Sequence, residues 1–400
     1  MNSETVRLRL AYFSPLPPAR SGIADFSAEL LPYLAHSADI TLYVDDLQEV
    51  KQSLREQFEI RLLDRYQQEH WQYDLALYQM GNSEFHESLY PYLLHYPGVV
   101  VLHDLFVHHF IVHKTLGKGK FADYARELGY VLGKRGIYLA QEMRRGQASA
   151  PLFQLPLNER ILDASLGIIA NSEYVAAYVR AYSPGTPVRV IPLLARFESG
   201  KSRRHELGLD AEDILFASFG LITQAKQIER ILETLSLLRE HVANAHLLLV
   251  GDSVGDTDLA KLLQAYELTD VVHQVGYVPE ITTFTDWIHT ADVVINLRYP
   301  TVGESSSTAL RAMAIAKPVI VYDHGWYAEL PDAAVVKIPP LDQDALLDSM
   351  TQLSRSPKMR TKVGQSARQY AETNCQPSSV AALYISALQA TLDNCLKRYA

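Results

Sequence analysis

Cysteine is almost missing from this 400-residue chain: Cys375 and Cys395 are its two, and neither stands at a redox or metal-ligand spacing. That excludes a disulfide scaffold and a cysteine-built zinc site, and leaves free thiols in a reducing compartment as the reading. Positive charge is also short, with 37 Lys and Arg against 46 Asp and Glu and a formal net charge of -9. Duplex nucleic acid needs a dense cationic face, so no nucleic-acid partner is expected. No uninterrupted apolar run reaches the ~18 residues of a membrane-spanning helix. The start, "MNSETVRLRLAYF", lacks the basic-then-apolar plan of a secretion signal. The expectation is a cytoplasmic protein whose membrane contact, if it makes any, is peripheral at the inner face. With 48% hydrophobic and 21% charged residues, no stretch is polar enough to stay unfolded.

What is present is a recurring alternation of short β-rich runs and longer helical patterns. In the first half the expected strands are residues 7–13, 39–44, 73–79, 98–103, 166–172 and 188–194. The second half repeats the theme at 214–220, 246–252, 271–277, 292–298, 318–323 and 334–339. Near-continuous apolar strands alternating with helices indicate parallel sheets covered on both faces. The polar, glycine-bearing stretch "ARFESGKSRRHELGLD" follows the sixth strand and marks a hinge near residue 196. The pattern therefore predicts an α/β protein of two Rossmann-like, doubly wound domains facing across a crevice, residues 1–195 and 196–377, with helices to the end of the chain.

In doubly wound sheets ligands bind beyond the carboxyl ends of the strands, so the residues just after each strand carry the functional reading. After the first strand, "SPLPPARSGIADFS" places Ser21 as a helix cap and Gly22 at a helix start whose free amides face an anion or merely close a turn. His103 ends the fourth expected strand, where it either hydrogen-bonds a ligand hydroxyl or phosphate or caps the next helix. His109 and His113 stand four apart on one helix, but no third ligand sits at a telling spacing, so no metal is expected. Lys226 follows the strand at 214–220, either as a diphosphate clamp beside helix amides or as solvated surface. "GDTD" at 255–258 reads as capping aspartates in preference to a cation site. Between Lys114 and Arg145 eight basic residues face three acidic ones, with tyrosines and phenylalanines interleaved. Helices in 105–160 thus present either a solvated face or a surface for anionic lipid or an anionic acceptor.

"RYPTVGESSSTALRAMA" (298–314) sets an arginine, a glycine, a glutamate and a hydroxyl-rich helix start at the end of the strand at 292–298. Gly303 allows close backbone approach, and Ser305, Ser306, Ser307 and Thr308 offer amides and hydroxyls suited to phosphate and sugar oxygens. Glu304 is the carboxylate of the segment, placed to accept from a ligand hydroxyl, which the resemblance below makes a donor-sugar hydroxyl.

Taken in order, "SPLPPARSGIADFS", "VLHD", "ANSEYV", "FGLITQAK", "VGYVPE", "ADVVINL", the 298–314 segment and "KPVIVYDHGWYAEL" resemble retaining glycosyltransferases of family 4, which have the GT-B fold. The resemblance covers most of the chain. It implies a nucleoside-diphosphate-sugar donor, UDP- or GDP-linked, held mainly by the C-terminal domain, and a saccharide or lipid-linked acceptor held mainly by the N-terminal one, with no cofactor. It implies that the last helix, about 378–400, crosses back onto the N-terminal domain. By position, Gly22 resembles the loop glycine near the donor diphosphate, His103 the histidine near the donor sugar and Lys226 the phosphate-binding lysine. The backbone at Tyr277 and Val278 resembles the nucleobase contact. The chain departs from the family pattern at Leu221, where an arginine is usual, and at Gly303 and Arg311, which replace both glutamates of a spaced pair. Arg298 is the expected replacement for the charge missing at Leu221.

The expected activity is retaining transfer of a sugar to an acceptor hydroxyl in cell-envelope or glycan biosynthesis, with His103, Lys226 and Glu304 at the reacting centre. Two other readings stand beside it: a nucleotide-sugar epimerase of the same fold, and a degenerate, non-catalytic partner subunit.

Overall fold

A computed structural model describes residues 7–198, 200–254 and 258–399. The first sheet contains β1 (Leu8–Phe13), β2 (Ala38–Val44), β3 (Glu59–Leu62), β4 (Leu75–Met80), β5 (Val99–Leu102), β6 (Gly167–Ala170) and β7 (Val188–Val190). The second contains β8 (Ile214–Phe219), β9 (Ala245–Val250), β10 (Val272–Val275), β11 (Val293–Ile295), β12 (Val319–Tyr322) and β13 (Val336–Ile338). Their orders are β3-β2-β1-β4-β5-β6-β7 and β10-β9-β8-β11-β12-β13, and every pairing is parallel. In each sheet the order reverses beside the first strand of the sequence, β1 or β8, which is where such sheets open a crevice for ligands.

The strands form where apolar, β-branched runs can be buried on both faces, and β1, β4, β5, β8 and β9 are buried almost throughout. Two departures from the sequence reading have local causes. β3 was not anticipated because "EIRL" is short, charged and only partly buried, as suits an edge strand. β7 stops at Val190, four residues early, because Pro192 has no N–H to continue a ladder.

The chain divides into two compact units: Met1–Leu193 with Val302–Ser305 and Pro377–Ala400, and Leu194–Thr301 with Ser306–Gln376. Each has its own apolar core. In the first, Phe13, Tyr43, Tyr78 and Tyr90 pack with Leu102, Phe110 and Tyr124; in the second, Phe216, Ile231 and Leu235 pack with Leu247, Ile295 and Tyr322. Cys375 and Cys395 are free thiols, with Cys375 buried. Among the described residues no helix is long and apolar enough to cross a membrane.

Candidate functional site

In the first unit the ends of β1, β4 and β5 gather a buried polar cluster. His103 follows β5, and its backbone N–H donates to Met80 O (2.9 Å). Its ring Nε2 lies 2.7 Å from Gln79 Oε1, and Phe26 packs edge-on against it at 5.2 Å. Burial pushes the His103 imidazole down to about 3, with a smaller push from His86, so it is neutral at physiological pH. Asp104 Oδ2 accepts the Asn82 N–H at 2.7 Å. The Asn82 side chain in turn donates to His109 Nδ1 (3.0 Å) and accepts the Phe110 N–H (2.9 Å). His109 is therefore held by an amide, and His113 points at Glu87, 4.0 Å away.

Gly22 opens the helix Gly22–Leu34, capped by the Ser21 hydroxyl, which accepts from the Ile23 N–H (3.2 Å). A side chain at Gly22 would meet no protein atom within 4 Å, so the turn faces open space. Gly81 holds this region together: a Cβ there would fall 2.4 Å from Ile23 and 2.9 Å from Asp104 Oδ2. The helix start thereby lies beside the His103–Asp104 pair.

Gly303, Glu304 and Ser305 belong to the same unit, although the chain on either side of them belongs to the second. The Phe106 N–H donates to Val302 O (2.9 Å). Gly303 has φ +82°, and a Cβ on it would lie 2.4 Å from Leu105 Cβ. Its close backbone approach is thus to Leu105, two residues beyond His103. Glu304 is half-buried, and its Oε2 accepts the Val302 N–H at 2.8 Å. Its charge helps burial raise the Tyr174 phenol. Ser305 Oγ donates to Asn171 O at 3.4 Å.

In the second unit the ends of β8, β9, β10 and β11 are tied together. Lys226 is 5% exposed, which rules out solvated surface. It sits in a tight turn, Gln224–Lys226, two residues before the helix Ile228–Arg239, and its Nζ lies 3.0 Å from the position a Gly220 Cβ would occupy. Gly251 backs onto Gly220, where a Cβ would fall 2.5 Å from Gly220 O. Asp252 Oδ1 accepts the Tyr277 N–H (2.9 Å), so the Tyr277 amide is committed within the protein; Val278 beside it is half-buried. Arg298, half-buried, lies beyond the shortened β11. Its neighbour Tyr299 donates its N–H to Ala225 O (2.8 Å) and accepts from the Gln227 side chain (2.8 Å). These two bonds fix the Arg298 turn against the Lys226 turn.

The helix of the 298–314 segment is Ser307–Ala314, so Ser306 is its cap: the Ser306 hydroxyl accepts from the Ala309 N–H (3.2 Å) and from Asn296 Nδ2 (2.7 Å). Ser307 and Thr308 are half-buried in its first turn. Arg311, 7% exposed, is on the same helix, and its charge, after the Arg196 hydrogen bond, helps hold the Glu198 carboxyl below the usual range. Leu221 is 51% exposed. Of the "GDTD" stretch, 255–257 lie outside the described residues; Asp258 caps the helix Leu259–Ala265 through the Lys261 N–H (3.1 Å).

Several site residues carried no signal in the sequence. Gln79, Asn82, Asn171 and Asn296 are amides at or near strand ends, and Asn158, before the helix Glu159–Asp163, donates to Leu105 O; all orient other groups, and only the fold shows what they face. A buried amide within an apolar run, as at Gln79 in "LALYQM", is the one cue available.

The fold defines the class: two parallel sheets of seven and six strands with flanking helices, matching glycosyltransferases of the GT-B fold. Residues 201–370 match the model of glycosyl transferases group 1. Solved structures with the same fold include HepE of Anabaena in complex with UDP-glucose (14% identity, TM-score 0.67, covering 96% of this chain and 100% of that one). Sucrose-phosphate synthase from Thermosynechococcus elongatus is similar at 17% identity and TM-score 0.66, covering 97% of this chain and 100% of that one. WaaG, a glycosyltransferase involved in lipopolysaccharide biosynthesis, matches at 15% identity and TM-score 0.61, over 93% and 98%. No curated protein matches the chain by sequence.

Proposed function

We propose that the chain is a retaining glycosyltransferase of family 4 with a divergent glutamate motif, moving a sugar from a nucleoside-diphosphate sugar, UDP- or GDP-linked, to a hydroxyl of a saccharide or lipid-linked acceptor. The observation that carries this reading is Lys226: an ammonium buried over Gly220 at the carboxyl end of β8, inside the stretch that matches glycosyl transferases group 1. A desolvated cation at a strand end is placed for an anion such as a diphosphate. Arg298, on the adjoining turn, supplies a second positive charge. HepE in complex with UDP-glucose shows that a protein of this fold takes such a donor.

In the transfer the sugar C1–O bond to the diphosphate breaks and a new C1–O bond forms to the acceptor oxygen. The acceptor proton passes to the departing phosphate, so no separate base is needed. Lys226 and Arg298 stabilise the leaving diphosphate. Neutral His103 and Glu304 serve the sugar hydroxyls, and the backbone of the turn at Tyr277 and Val278, outside the committed Tyr277 amide, serves the base. Gly22, Gly303, Ser305, Ser306 and Ser307 complete the donor contacts in this reading. The same reading places a basic surface for peripheral contact with anionic lipid at the helices Phe121–Leu132 and Lys134–Arg144, where Lys134 and Arg135 are exposed beside Tyr138.

The test is transfer from UDP-glucose and GDP-mannose to a panel of saccharides, with the configuration at C1 read by proton NMR. An α-linked product from an α-linked donor is expected; an inverted product contradicts retention. Conversion of donor to an epimer without acceptor would establish the epimerase instead.

A further inference from the structure

We propose that the first unit holds the sugar acceptor in a cavity of 760 Å³ at the carboxyl ends of β1, β2 and β4, and that this cavity selects neutral or amine-bearing saccharides against anionic ones. The inference rests on the transferase reading for the word acceptor, but the ligand class follows from the cavity itself.

Its position is where parallel sheets bind ligands, and its volume falls in the ~300–1,000 Å³ of small-molecule sites. Leu16, Tyr43, Val50, Leu63 and Leu89 give it an apolar floor, and the half-exposed ring of Phe85 stands at its rim. Ser14 lies on the floor with its hydroxyl engaged with Pro15 O (2.7 Å) and Ser27 Oγ (2.8 Å). An apolar floor with an aromatic edge suits the C–H faces of sugar rings.

The rim decides the charge. Asp45, Asp46 and Glu49 follow β2 directly and are exposed, as is Glu84 after β4. Glu87 is also in the lining, but Lys118 sits on both of its oxygens at 2.6 Å and offsets its charge. Arg20 is the one cation in the lining. Ionised carboxylates only accept hydrogen bonds, so this rim matches a ligand rich in O–H and N–H donors. A phosphate or uronate offers acceptors and a like charge, and is repelled. The basic residues Lys134, Arg135 and Arg145 are absent from this lining.

The experiment uses the full chain and three disaccharides of similar size: diglucosamine, its di-N-acetyl form and digalacturonate, each titrated by saturation-transfer NMR. In ~50 mM salt diglucosamine should bind about tenfold more tightly than digalacturonate, with the neutral sugar between them, and the spread should collapse in ~0.5 M salt. The triple variant Asp45→Lys/Asp46→Lys/Glu49→Lys should invert the order. Equal or tighter binding of digalacturonate by the natural chain, an unchanged order in the triple variant, or no saturable binding of any of the three overturns the proposal. UDP binding on the same sample separates the two readings. A chain that binds UDP yet prefers digalacturonate refutes only this inference. One that ranks the sugars as expected but binds no nucleotide supports the ligand class and refutes the transferase reading.

Discussion

Gln79 Oε1 and His103 Nε2 stand 2.7 Å apart, both residues buried, at the ends of adjacent strands β4 and β5. An amide oxygen can only accept, so the proton is on Nε2 and Nδ1 is left as the acceptor face of the ring. Gln79 therefore sets which atom His103 offers.

Nitrogen-15 NMR of the imidazoles checks this directly. His103 should be a single Nε2–H tautomer, and Gln79→Leu should give a mixture of tautomers, with kcat falling more than KM rises. A His103 signal indifferent to Gln79→Leu would contradict the assignment.

Burial also makes His103 part of a pH response. His103, His86 and His108 are pushed down to about 3, 4 and 4, mainly by desolvation. Unfolded histidines titrate near ~6.5, so below that pH the unfolded chain binds protons that the native chain does not. Stability is complete above ~6.5 and is lost as pH falls towards ~4, by up to about 1.4 kcal/mol per pH unit for each residue. Urea unfolding at several pH values should show this fall, and His86→Phe should flatten it. Stability that is level from neutrality to pH ~5 would be the contrary result.

Gly303 is required by geometry as well as by φ. Alanine there would meet Leu105 Cβ at 2.4 Å in a left-handed backbone, so Gly303→Ala should cost ~2–4 kcal/mol, seen as a lower urea midpoint at unchanged slope. If the variant is as stable as the natural chain, the loop 302–305 is not packed on Leu105 as described.

The strands of both sheets were legible because runs such as "RLRLAYF" and "HLLLVGD" are apolar and bounded by turn residues. The edge strand at Glu59–Leu62 was not, since its charges carry no burial pattern. At the site, Lys226 was legible from its place after "FG", but its burial was not: a lysine at a turn reads as surface until the fold shows Gly220 beneath it. Ser306 shows the converse. Its hydroxyl looked available as one of four in a row, and the fold gives it to the cap of the helix Ser307–Ala314 and to Asn296. The grouping of 302–305 with the first unit was invisible, because flanking strands give no indication of which sheet a loop will pack on.

The central claim is that the buried Lys226 ammonium answers a nucleoside diphosphate. Calorimetric titration of the natural chain and of Lys226→Met, which keeps the side-chain volume but removes the charge, tests it most directly. The account predicts saturable binding of UDP or GDP by the natural chain and a ~10–100-fold loss in Lys226→Met at little change in melting temperature. Absence of binding to UDP, GDP, ADP and dTDP, or equal affinity in the variant, would contradict it.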